Sequence, residues 1–342
     1  MNRRFSALAL LALSLLLPRV TPAAEAHTQL GIQGTRFTIN RRDTFLFGIS
    51  YYGALGATDE VLRGDLAEFQ RRGFNWLRVW ATWAGFENDV SAVDDKGEPR
   101  PEFLTKLEHL LQECDRRGLI VDVTLSRGNG ATGPARLGDH ASHVRAVRML
   151  VSKLQAWRNW YLDLSNERNI RDKRFSSIED LADLRKIVRD LDPERLVTAS
   201  HAGDLTREEL GQYLKTIRVD FISPHRPRQA GSAEQTEAQT RRYLEWMREL
   251  GRVAPVHYQE PFRRGFAQWN PRARDYVTDL KGAETGGAAG WCFHNGDERN
   301  KPDGRPRRSF DLRDGSLFQQ LDKEEQQALE ELKRRMHRPG TP

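Results

Sequence analysis

Eight short apolar segments recur along this 342-residue chain, each followed by a helical stretch or a long loop, and that alternation limits the fold more than any other feature. The segments are Phe45–Tyr51, Phe74–Trp80, Leu119–Leu125, Tyr161–Glu167, Leu196–His201, Asp220–His225, Pro255–Glu260 and Ala288–Asn295. Apolar residues at helical spacing predict helices over 59–72, 101–117, 140–158, 178–191, 207–214, 233–250 and 270–280, and a charged closing helix over 321–336. Gly73, Gly118 and Gly251 stand where three of these helices should stop. Strands alternating with helices imply a parallel sheet. Eight repeats over this length point to one closed α/β unit, a single (β/α)8 TIM barrel, and the alternating segment 29–40 predicts a β-hairpin ahead of it. The competing open, doubly wound sheet is weakened because no GxGxxG follows any strand.

The N-terminus reads differently from the rest. Met1-Asn2-Arg3-Arg4 is followed by an apolar run from Phe5 to Leu17, then Pro18 and the small-residue site Ala24-Glu25-Ala26. This pattern describes a secretory signal peptide over residues 1–26, cleaved after Ala23 or Ala26. The run is too short for a permanent membrane span. The expectation is therefore a secreted or periplasmic protein without stable membrane insertion, a monomer whose one catalytic-sized domain covers 27–342. The two cysteines, Cys114 and Cys292, form no CxxC and no metal-spaced cluster, and are expected to be buried free thiols. The net charge of +6 suits an anionic partner such as an acidic or cell-envelope polysaccharide, although the arginines are spread over many helices. Nucleic acid is disfavoured by export and by the lack of a recognisable binding module.

In this barrel the catalytic groups come from the C-terminal ends of the strands. Those ends carry Tyr51 and Tyr52, then Arg78 and Trp80 with Trp83 just beyond, then Asp122 and Ser126, then Asn166 and Glu167. His201, His225, Glu260 and Trp291 with His294 complete the circuit. Glu167 and Glu260 each close an apolar run, 260 − 167 = 93 residues apart. Two carboxylates on one rim can cleave a glycosidic bond, one as proton donor and one as nucleophile. Aromatic faces can cover sugar rings while polar groups bond the hydroxyls. The bland readings are a helix-capping Asn166-Glu167 pair, a Glu260 that starts a helix before Pro261, and a Trp76 that packs in the barrel.

This set resembles the clan A retaining glycoside hydrolases, and the cellulase/mannanase-type family 5 in particular. The resemblance rests on Phe45–Tyr52 after the hairpin, on Asn75-Trp76-Leu77-Arg78-Val79-Trp80, on Asn166-Glu167, on Glu260 and on Trp291. It implies Glu167 as acid/base, Glu260 as nucleophile, Arg78 as the nucleophile's support, and Trp291 as a sugar platform. Asn166 would bond a sugar 2-hydroxyl, and His225, His201, Tyr52 and Trp80 are further candidate substrate contacts. A proton donor needs a raised pKa, which a dry, carboxylate-rich pocket would supply to Glu167. The implied chemistry is double displacement on a poly- or oligosaccharide with no metal or organic cofactor. Two departures stand out: Leu125-Ser126 replaces a histidine usual after strand three, and His225-Arg226-Pro227 replaces a His-x-Tyr. They admit a non-catalytic carbohydrate-binding barrel as the alternative. A metal site built from His201, His225, His294 and Asp122 is a third. The sugar and its linkage depend on loops 84–100, 127–139 and 226–232.

Overall fold

Side chains alternate between the barrel interior and the helix layer along every strand, and a few glycines decide which large residues fit inside. The computed structural model describes residues 27–85, 88–128, 136–265, 268–296, 311–313 and 315–336. The expected leader, residues 1–26, lies outside the described residues, as does the centre of loop 127–139. The chain enters through β1 (Leu30–Gln33), β2 (Arg36–Ile39) and β3 (Arg42–Thr44), an antiparallel sheet. The expected hairpin therefore has a third strand.

The barrel strands are β4 (Leu46–Ser50), β5 (Trp76–Trp80), β8 (Ile120–Thr124), β9 (Trp160–Asp163), β10 (Val197–Thr198) with β11 (Ser200–Ala202), β12 (Ser223–His225), β13 (His257–Tyr258) and β14 (Gly290–Phe293). Two-residue strands β6 (Ala84–Gly85) and β7 (Asn88–Asp89) pair within the loop after β5. A parallel sheet runs β10-β9-β8-β5-β4-β14-β13, and β11 pairs with β12. A parallel bridge between Ile222 and Val256 joins the two ends and closes the eight-stranded barrel. Across it the Ile222 amide donates to Pro255 O at 3.0 Å and the His257 amide to Ile222 O at 2.9 Å.

Helices α1 (Asp59–Arg71), α2 (Pro101–Arg117), α3 (His140–Leu154), α4 (Ile178–Leu191), α5 (Arg207–Gly211), α6 (Ser232–Glu249), α7 (Ala273–Gly286) and α8 (Lys323–Met336) follow the order read from the sequence. Thr58, Asp139 and Ser177 accept backbone N–H bonds at the starts of α1, α3 and α4, which satisfies donors no helical carbonyl can reach. Helix α7 begins three residues later than 270, where Asp275 Oδ2 accepts the Arg272 amide at 2.7 Å, and it runs on to Gly287 in the left-handed region. No helix among the described residues is long and apolar enough to cross a membrane.

The barrel floor is aromatic. Phe37 of β2 inserts from below, edge-on to Phe221 and His257 at 5.0 and 5.5 Å between ring centres. Trp76 points inward beside them, 4.5 Å from His257. Gly48 faces Trp76 across the ladder, and a Cβ there would lie 1.9 Å from the indole ring. Gly290 makes the same room for the His257 ring. Cys114 and Cys292 are buried and unpaired.

Candidate active site

Above that floor the inward positions become ionic. Arg78, fully buried, lies at the centre. Its Nη2 donates to Asp163 Oδ2 at 2.8 Å and to Asn166 Oδ1 at 3.1 Å, and its Nη1 pairs with Glu260 Oε1. Its Nε donates to Thr124 Oγ1 at 3.1 Å and lies 3.1 Å from Asp122 Oδ2. Ladder register explains the convergence, since Arg78 sits opposite Asp122, and Thr124 opposite Asp163. A guanidinium offers five donors in a rigid fork, so one arginine can orient several carboxylates at once.

Glu167 and Glu260 face one another. An oxygen of each lies within 4.8 Å of the other and of a His225 ring nitrogen. His225 Nδ1 is 3.3 Å from Glu167 Oε1 and 3.5 Å from Glu260 Oε2, while its Nε2 is 3.3 Å from Arg78 Nη1. His225 thus faces both carboxylates through Nδ1 and the Arg78 guanidinium through Nε2. Glu167 adopts φ 46°, a left-handed backbone that costs a non-glycine residue about 1–2 kcal/mol and is retained where surroundings over-determine it. Its amide is held by Ser200 Oγ at 3.1 Å.

Two arginines absent from the sequence-derived set complete the cluster. Arg228 Nη2 donates to Glu260 Oε2 at 2.7 Å and to Glu167 Oε1 at 3.2 Å, so one nitrogen spans both acids. Arg174 Nη1 donates to Glu167 Oε2 at 3.1 Å while the same guanidinium grips Asp172. Burial alone would raise both carboxyls. For Glu167 the His225 hydrogen bond and the charges of Arg228, His225 and Arg174 outweigh it, and hold the group well below the usual carboxylate range. For Glu260 the opposing causes are His225, Arg78, His294 and Arg228, with the same result. The raised pKa expected of Glu167 is thus reversed in this state, because loop arginines and not further carboxylates surround it.

The other candidates divide. Tyr52 lies at the site, its hydroxyl 3.0 Å from His294 Nε2 and hydrogen-bonded with Glu260. Trp80 packs 5.4 Å from the Tyr52 ring and edge-on to Trp83. Asn166 is tied through its carbonyl to Arg78, so its NH2 end faces away from the guanidinium. His201 stands beside Asn169 and Tyr213, 3.2 Å from each, with its pKa lowered to about 4 chiefly by burial. Trp291 does not reach the pocket. It stacks on Phe47 in the helix-side layer and donates Nε1–H to Asp279 Oδ2 of α7 at 2.6 Å. Cys292 packs with the barrel interior, so the preceding residue on β14 must face outward. Asp122 sits lower, bonded to Thr124, Tyr161 and Gln259, and burial pushes it up to about 8.

The imagined His201, His225, His294 and Asp122 metal site is not assembled. The one metal-capable group among the described residues is Glu167, His225 and Glu260. Arg78 and Arg228 already donate into that space, a donor set that opposes a second cation there.

No family model matches the sequence, and no curated protein matches it. Solved structures do match its fold. A glycoside hydrolase family 5 mannosidase from Rhizomucor miehei superposes with a TM-score of 0.61 at 12% identity, covering 92% of this chain and 100% of its own. The endo-1,4-β-D-mannanase of Thermotoga petrophila gives 0.61 at 14% identity over 85% and 99%. A family 5 glycoside hydrolase from Bacteroides vulgatus gives 0.64 at 14% identity over 91% and 72%. The chain therefore has the (β/α)8 barrel architecture of family 5, clan A glycoside hydrolases.

Proposed function

We propose that this protein is a retaining glycoside hydrolase acting on an O-glycosidic bond of a poly- or oligosaccharide. One observation carries the reading: Glu167 and Glu260, from the ends of different strands, meet with carboxylate oxygens within 4.8 Å. Retaining enzymes hold their carboxyls about 5–5.5 Å apart, whereas inverting enzymes need roughly 6.5–9.5 Å to admit a water. Glu260, kept ionised by Arg78 and Arg228, attacks the anomeric carbon. Glu167 gives its proton to the departing glycosidic oxygen, and a glycosyl ester on Glu260 forms. Glu167 then takes a proton from water, the water oxygen bonds the anomeric carbon, and the ester breaks. Glu167 must be protonated at the start, so Arg228 has to leave its Oε1 when substrate enters. Export through the leader at residues 1–26 belongs to the same reading, because it would bring the enzyme to an external polymer.

Arg228 across both acids also favours a second reading, a barrel that binds saccharides without cleaving them. The test is reducing-end release from a polysaccharide panel by the wild type and by Glu260→Gln and Glu167→Gln. Hydrolysis that falls by about 10³-fold or more in Glu260→Gln, with an unchanged melting profile, is expected. Equal activity in Glu260→Gln and wild type sinks the mechanism, and saccharide binding with no hydrolysis favours the second reading.

A further inference from the structure

We propose that Arg174 is the positioning residue of the acid/base, that it stays on Glu167 through both steps of the reaction, and that it sets the upper pH limit of turnover. This deepens, and rests on, the hydrolase reading proposed above. The two oxygens of Glu167 face different ways. Oε1 lies 3.3 Å from His225 Nδ1 and 3.2 Å from Arg228 Nη2, and both nitrogens also reach Glu260 Oε2, at 3.5 and 2.7 Å. Oε1 is therefore the oxygen on the Glu260 side, where the glycosidic bond must lie. Oε2 accepts from Arg174 Nη1 at 3.1 Å instead. A proton that leaves Oε1 for the glycosidic oxygen, or returns there from water, does not require Arg174 to move.

The loop after β9 is built to hold Arg174 in that place. Asp172 accepts from Arg174 Nε at 3.0 and 3.1 Å, from its Nη2 at 2.7 Å and from its main-chain amide at 2.8 Å. A bidentate grip on one edge of the guanidinium leaves Nη1 turned to Glu167. The loop after β8 supplies the opposite wall at Gly128, where a Cβ would lie 2.6 Å from Arg174 Cγ. A glycine there gives the arginine stem its room.

The charged and titratable groups that face Glu167 come from three elements. They are Arg174, with Asp172 behind it, from its own loop, His225 of β12 with Arg228 beyond it, and Glu260 beyond β13. When substrate takes the place of Arg228 on Oε1, Arg174 and His225 remain beside the carboxyl. A cation next to a carboxyl favours its ionised form. Arg174 thereby makes Glu167 a stronger acid as the glycosidic oxygen takes the proton, and steadies the carboxylate that later accepts one from water. It also lowers the pH above which Glu167 has no proton to give.

The experiment is the pH dependence of kcat/KM for the full chain on two substrates of one sugar. One is an oligosaccharide that the wild type hydrolyses, and the other an aryl glycoside whose dinitrophenol leaving group departs without a proton. Arg174→Gln is expected to move the basic limb of the oligosaccharide profile up by about one pH unit or more, because a cation leaves the carboxyl. Its plateau should fall about 10-fold, with a smaller loss on the aryl glycoside. Arg174→Lys should fall between the wild type and Arg174→Gln. Gly128→Ala, which keeps every charge and displaces only the stem, should move the limb in the same direction by less. These two variants keep the test decisive if Arg174→Gln misfolds. A basic limb that stays in place or moves down, or equal losses on the two leaving groups, overturns the proposal. Hydrolysis that needs Glu260 but keeps its basic limb in the Arg174 variants sinks this inference and leaves the hydrolase. No hydrolysis of any substrate by the wild type sinks both.

Discussion

The lower and upper halves of the barrel interior use the same inward positions for opposite ends. At the floor, Phe37, Trp76, Phe221 and His257 meet edge to face, and glycines at 48 and 290 make room for them. Two residues beyond Trp76, Ile120 and Tyr161, which all belong to the floor cluster, Arg78, Asp122 and Asp163 take the next inward positions. Burying apolar area contributes roughly 25 cal/mol per Å2 and needs no partner. Burying charge costs several kcal/mol per ion unless each is paired. The floor is held by edge-to-face packing that needs no partner, whereas the ionic ceiling depends on every charge finding one.

The contrast has measurable consequences. Arg78→Met should do the most damage, because it leaves Asp163 buried without its cation and takes one of two arginines from Glu260. A loss of about 3–5 kcal/mol is expected in urea unfolding, and a loss below about 1 kcal/mol would show that the ceiling is not held by this arginine. Gly48→Ala strikes the floor instead, where the new methyl meets Trp76. A loss of about 1–3 kcal/mol is expected from overpacking, and a companion Trp76→Phe should restore part of it if the clash is the cause.

Acid should separate the halves as well. The folded pKa values of Glu167 and Glu260 lie below those of the unfolded chain, about 4.3. Their contribution is therefore complete above that value and is lost as the pH falls through the folded values. The stability difference between the wild type and the Glu167→Gln/Glu260→Gln double variant should change between about pH 5 and pH 2, and should be flat above about pH 6. A difference that keeps changing near neutrality would contradict the depressed pKa values. The smallest effect belongs to Trp291→Phe, which removes the indole bond to Asp279. It should cost about 1 kcal/mol, because Asp279 Oδ2 loses its donor while Oδ1 keeps the Thr236 hydroxyl, and leave saccharide affinity unchanged. Weakened binding would return Trp291 to the pocket.

Much of this was legible in the sequence, for reasons that particular residues display. The barrel shows through because α2 and α4 carry uninterrupted helical spacing, and their ends fall where expected, at 101–117 and 178–191. Glu167 and Glu260 stood out because each closes an apolar run, although β9 and β13 end earlier, at Asp163 and Tyr258. Trp291 was misread for want of the period of two. His294, three residues on, bonds Tyr52 inside the site, and an odd offset puts the tryptophan on the other face. The same period could have found Asp163, two residues after the inward Tyr161. Arg174 and Arg228 had no such signal. They come from loops, where no periodicity tells which side chain turns inward, and they reverse the electrostatics expected around Glu167.

The decisive measurement is covalent capture. The protein would be incubated with activated 2-deoxy-2-fluoro glycosides spanning the sugars it hydrolyses, then analysed by intact mass and peptide mapping. A single adduct on the peptide bearing Glu260, absent from Glu260→Gln, is the expected result. Hydrolysis of the same sugars with an adduct on another residue, or with first-formed products of inverted anomeric configuration, would show that the two facing glutamates do not work as nucleophile and acid.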